Sequence, residues 1–112
     1  MTETPDAARM PSGSFRSSIR FDPERPVVAT VSTERATTVF VVCLEPAQAL
    51  AQHPAPNELT LLVIDGQPLI TVIDEACPTK PGDVLVVASG ALHSLRAGSD
   101  RAVVVGVLTG RK

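Results

Sequence analysis

Short apolar runs, broken at regular intervals by glycine, proline and aspartate, leave this chain little room for anything but β-structure. Runs at residues 27–31, 37–44, 59–64, 68–73, 83–88, 92–96 and 102–108 are each bounded by turn formers, and no stretch between them shows convincing helical periodicity. Aromatic residues make up 3% of the chain, all of them Phe, so Val, Leu, Ile and Ala must fill the core. The β-branched ones among them, Val and Ile, suit a pleated surface. Seven or eight strands at this spacing predict an all-β sandwich or barrel. A length of 112 residues suits one domain with a single core.

Residues 1–18 are polar and aperiodic and read as a flexible N-terminal arm, with one domain over residues 19–112. Residues 47–51 are too few for a stable helix and are expected to be extended, leading into a loop at His53 stiffened by Pro54 and Pro56. Asp65-Gly66-Gln67 carries the signal of a hairpin between runs 59–64 and 68–73. Residues 74–80 read as a connection, and Ser89-Gly90 turns the chain into the run bearing His93.

A formal net charge of −2 with scattered basic residues argues against a nucleic-acid partner. No apolar run approaches a membrane span, and the first residues lack the apolar segment of a secretory signal. Cys43 and Cys77 are not spaced as a metal or redox pair, and two reduced thiols in a cytoplasmic protein are expected.

The chain has two histidines, His53 and His93, each beside a strand-and-turn unit that could aim an imidazole into a common cavity. Neutral imidazole is a ligand for several divalent metals, but catalytic sites need a third protein donor. Glu58 is the nearest carboxylate to His53, yet period-two alternation sets it with Thr60 and Leu62, opposite Leu59 and Leu61. Only a bulge would bring it to the other side. No nucleophile elbow surrounds Ser89 or Ser94, and no glycine-rich phosphate loop is present. In the run 83–88, Val84 and Val86 share one face with Ala88, and Leu85 and Val87 lie on the other. Both faces are apolar, so both are expected to be covered, one by the barrel interior and the other by a second sheet or a partner subunit, and a homodimer is the natural inference.

The stretch from Gly82 to Ala97 resembles the second sequence motif of the cupin superfamily. The motif's glycine, proline, glycine, histidine and asparagine fall, with spacing intact, on Gly82, Ala88, Gly90, His93 and Ala97, so three of five agree. The first motif keeps His53 and Gly66, while its second histidine and its glutamate fall on Ala55 and Leu59. The resemblance covers most of residues 37–108 and implies a small jelly-roll barrel (a double-stranded β-helix), usually dimeric, with a pocket at its mouth. Here that pocket would involve His53, Leu59, Leu61, Val86 and His93. Cupins usually hold a divalent metal through three histidines and a glutamate. With two of those positions apolar, the resemblance implies binding of a small molecule, with room for a weakly held divalent metal on His53 and His93 and, less favourably, Glu58. The alternative is a metal-dependent oxygenase or isomerase using the same two histidines.

Overall fold

A pleated backbone sends successive side chains to opposite faces, where Val, Ile and Thr pack with little loss of rotamer freedom. In the computed structural model, which describes residues 13–110, a short 3₁₀ turn at Arg16–Ser18 precedes nine strands. These are β1 Val27–Glu34, β2 Thr37–Leu44, β3 Ala49–Pro54, β4 Glu58–Asp65, β5 Leu69–Val72, β6 Glu75–Pro78, β7 Val84–Val87, β8 Leu92–Arg96 and β9 Ala102–Thr109. The described residues contain no α-helix.

Two antiparallel sheets result, one ordered β1-β2-β9-β4-β7 and the other β3-β8-β5-β6. From β2 onward the chain crosses between them at every connection except that of β5 to β6, in the manner of a jelly roll. The sheets face each other as a sandwich and are not hydrogen-bonded into a closed barrel.

The turn at Asp65-Gly66-Gln67 does not make a hairpin. Gly66 has φ 78°, but β4 and β5 lie in different sheets, so the turn is a crossover. A side chain at Gly66 would collide with the carbonyl of Arg101. The hairpin comes one strand later: Val72 stands opposite Glu75 in the β5–β6 pair, with Ile73 in the left-handed region at φ 57°. The expected connection at residues 74–80 therefore contains β6.

The inner faces of the sheets meet in a core that includes Val42, Leu44, Leu61, Val63, Ile70 and Leu95, each at most 2% exposed. Burying each such side chain is worth about 1.5–3 kcal/mol. Gly106 of β9 lies opposite Phe40 of β2, and the Phe40 ring occupies the space a side chain at Gly106 would need. That glycine is what lets an aromatic ring lie flat on the inner face.

A second cluster lies on the outer face of the five-stranded sheet, where Val41, Cys43, Val103 and Val105 are covered by Phe15, Ile19 and Phe21. This cover explains why β2 and β9 are apolar on both faces. Phe15 belongs to the segment expected to be an arm, and residues 1–12 of that segment lie outside the described residues. The Arg101 guanidinium stacks over Phe21 at 4.2 Å and pairs with both carboxylate oxygens of Glu45, at 2.8 and 3.2 Å. Gln48 donates to the Asp22 carbonyl at 2.8 Å, tying the same segment down. Cys43 and Cys77 are free thiols, and burial pushes the Cys43 thiol up.

The cover does not reach β7. Leu85 and Val87 face inward, but Val84 and Val86 are 59% and 61% exposed within the chain. Within the single chain this strand is covered on its inner face alone.

Candidate functional site

β3 and β8 pair antiparallel, with His53 directly opposite His93. Side chains of a cross-strand pair lie on the same face, and the two imidazoles sit with ring centroids 4.3 Å apart, tilted by 55°. His53 reaches this position through a β-bulge. Leu50 also faces inward, opposite Leu95, and strict alternation from Leu50 would turn Gln52 inward and His53 outward. The register shifts between Leu50 and His53, and the extra residue returns His53 to the inner side. The expected loop at His53 is therefore a bulged edge strand.

Each imidazole is held by a backbone carbonyl two residues before it. Nδ1 of His53 donates to the Ala51 carbonyl at 2.8 Å, and Nδ1 of His93 donates to the Ala91 carbonyl at 3.3 Å. A carbonyl can only accept, so these contacts place the proton of each neutral ring on Nδ1 and leave Nε2 with a free lone pair. Ala91 also accepts the Ala55 N–H at 3.1 Å, and Gly90 donates to the Ala55 carbonyl at 2.7 Å. The chain after His53 is thus laced to the turn before His93. Gly90, at φ 85°, makes that tight return.

The two strands differ in their surroundings. β8 is central, paired on one side with β3 and on the other with β5, whereas β3 is an edge. His93 is 2% exposed and His53 is exposed. Burial pulls the pKa of His93 below the usual imidazole value, and repulsion from His53 adds to this, against the opposing pull of the Ala91 carbonyl.

The pair stands at the polar edge of a cavity of about 520 Å³ between the sheets, within the size range of small-molecule sites. Leu59, Leu61, Phe40 and Leu108 line its five-stranded wall, and Leu50 and Leu95 accompany the histidines on the other. Thr30 and Thr38 face it from β1 and β2. No Asp, Glu, Lys or Arg lines this cavity among the described residues. Val28, on the edge strand β1, stands on the cavity wall and yet is 52% exposed.

His53, His93, Leu59 and Leu61 are brought together on this cavity. Val86 is not, because it stands across from Thr60 on the outer face of β4. Glu58 is exposed and one residue out of phase with Leu59, with no register shift to turn it inward. Both are corrections to the pocket and ligand sets expected from sequence. The sequence reading missed Phe40, Thr30, Thr38 and Leu50. Phe40, one of three aromatics, shares a strand face with Val42 and Leu44 and could have been found by parity. Leu50 could not, because a bulge follows it.

The cupin family model, described as "Cupin domain", matches residues 40–109. The chain belongs to the cupin family. Similar solved structures carry the same fold. A cupin described as RmlC-like, from Desulfovibrio desulfuricans, is 26% identical with a TM-score of 0.76, covering 89% of this chain and 97% of that one. A conserved protein with a double-stranded β-helix domain from Klebsiella pneumoniae is 23% identical with a TM-score of 0.80, covering 92% and 90%. A cupin superfamily protein from Desulfitobacterium hafniense is 15% identical with a TM-score of 0.78, covering 93% and 100%. No curated protein matches the chain.

The donor set does not fit the metal that many cupins carry. Ala55 and Leu59, at the positions of the family's second histidine and glutamate, are 1% and 3% exposed and packed in the core cluster. No group of three or more His, Cys, Asp or Glu is arranged to hold a metal ion among the described residues. Two imidazoles alone fall short of the three protein donors of a catalytic zinc or non-haem iron site.

Proposed function

We propose that this cupin binds a small, largely apolar molecule in the cavity between its sheets, oriented by His53 and His93, without a tightly held metal. The observation that carries this reading is the pairing of an apolar cavity of about 520 Å³ with a two-imidazole edge. A few convergent polar groups in an apolar cleft fix orientation, while the apolar wall supplies affinity. A divalent ion on the two Nε2 atoms would be completed by water and held weakly. The test is the metal content of protein purified without chelator, with His93→Ala alongside. A substoichiometric content unchanged by the substitution is expected. Near-stoichiometric iron, nickel, manganese or zinc that vanishes in His93→Ala would favour the second reading, a metal-dependent oxygenase or isomerase.

We further propose a homodimer formed through the outer face of β4 and β7. Val84 and Val86 stand across from Leu62 and Thr60 and extend the apolar outer face beyond its N-terminal cover. Exposed neighbouring apolar side chains of this kind mark association surfaces. A cytoplasmic location is part of the same proposal. Among the described residues no helix is long and apolar enough to cross a membrane. Sedimentation at micromolar concentration should show a dimer, and Val84→Lys with Val86→Lys should shift it to monomer.

A further inference from the structure

The geometry points to a ligand whose polar end is a hydrogen-bond donor, a hydroxyl of the phenol or enol kind, received by the bare Nε2 atoms of His53 and His93. This rests on the ligand-binding reading above and specifies the chemical polarity of what is bound.

The reasoning begins with the backbone. Both Nδ1 atoms face carbonyls, of Ala51 and Ala91, so neither ring can present an N–H at Nε2 while it is neutral. On His93 the cation is disfavoured by the site itself. The rings stand 4.3 Å apart, His93 is buried, and no carboxylate lines the cavity among the described residues to balance a positive charge. The histidine edge therefore offers two acceptors side by side and no donor. A carboxylate or an ether oxygen placed there would meet lone pairs with lone pairs, whereas a hydroxyl would be satisfied by either ring. Thr30 and Thr38 lie on the opposite sheet, so they do not alter the polarity of this edge. The apolar wall then selects the body of the molecule.

Three probes with the same para-butylphenyl body test this: para-butylphenol, its methyl ether and para-butylbenzoate, titrated calorimetrically into the full chain near neutral pH. The phenol should bind about tenfold or more tightly than either of the others, the scale of one well-made hydrogen bond set against an unmade one. His53→Phe, on the exposed edge strand, should cut the phenol's advantage over the ether several-fold. Long-range proton–nitrogen NMR should show both Nε2 atoms unprotonated and both Nδ1 atoms protonated. Ether or benzoate binding as tightly as phenol, or Nε2-protonated rings, would overturn the donor preference and leave the pocket reading standing. Failure of all three probes to bind would overturn the pocket reading and this inference with it.

Discussion

His53 and His93 are cross-strand partners, bonded alike to a carbonyl two residues back, yet their settings are opposite. His93 is buried on a central strand whose pairing on both sides fixes its direction. His53 is exposed on an edge strand and is turned inward by a bulge, a local feature supported from one side. One imidazole is built into the core and the other is set against it from the rim. A pocket made this way has a rigid wall and an adjustable one, and bulged edges are a common place for side chains to be re-aimed toward a site.

Substitutions should separate the two most clearly in stability. His93→Ala leaves a cavity beside Leu95 and should cost about 2–3 kcal/mol in urea unfolding. His53→Ala should cost less than about 0.5 kcal/mol, as an exposed edge change. Equal costs would mean that the two strands are equally embedded. Deleting Gln52 removes the extra residue of the bulge and leaves His53 two positions after Leu50, on the inner face by plain alternation. The phenol probe should then still bind more tightly than to His53→Ala, with little loss of stability; binding as weak as in His53→Ala would mean that the bulge itself sets the ring's position.

The smallest effect is in pH. Because folding lowers the pKa of His93 from its ordinary value of 6.5, the unfolded chain binds a proton more readily than the folded one. The contribution of His93 to stability is thus present above that value and is lost as pH falls below it. His53 is the one other titratable group lining the cavity among the described residues. Unfolding curves of the wild type and His93→Gln, compared from about pH 7.5 to 5, should converge toward the acid end. Parallel curves would show that His93 is as free to ionise in the fold as outside it.

Much of this was legible in the chain itself. Residues 37–44 and 92–96 read as strands with the limits the structure shows, because their apolar content and bounding turn formers are local signals. The cupin resemblance in Gly82, Gly90 and His93 pointed to the family, and strand parity alone put Glu58 on the wrong side to be a ligand. Where sequence reasoning failed, the deciding interaction was distant. Asp65-Gly66 announces a turn, but whether the next strand folds back or crosses to the other sheet depends on which strands already flank β4. These are β9 and β7, so no edge is free for β5. Residues 74–80 looked like a connection because their apolar content is low, yet β5 offers an open edge and pairing holds β6 in place.

Sequence by itself determined that the chain is all-β, where most strands run, that each of the two histidines lies beside an apolar strand-and-turn unit, and that two family ligand positions are apolar. Tertiary structure decided which faces are covered, that Val86 lies outside the pocket, and that His53 meets His93 at all. The physical reason is the two-residue period of a strand. Alternation assigns each side chain a face relative to its neighbours, but a single inserted residue in β3 reverses the assignment, and the pairing with β8 decides where that residue goes.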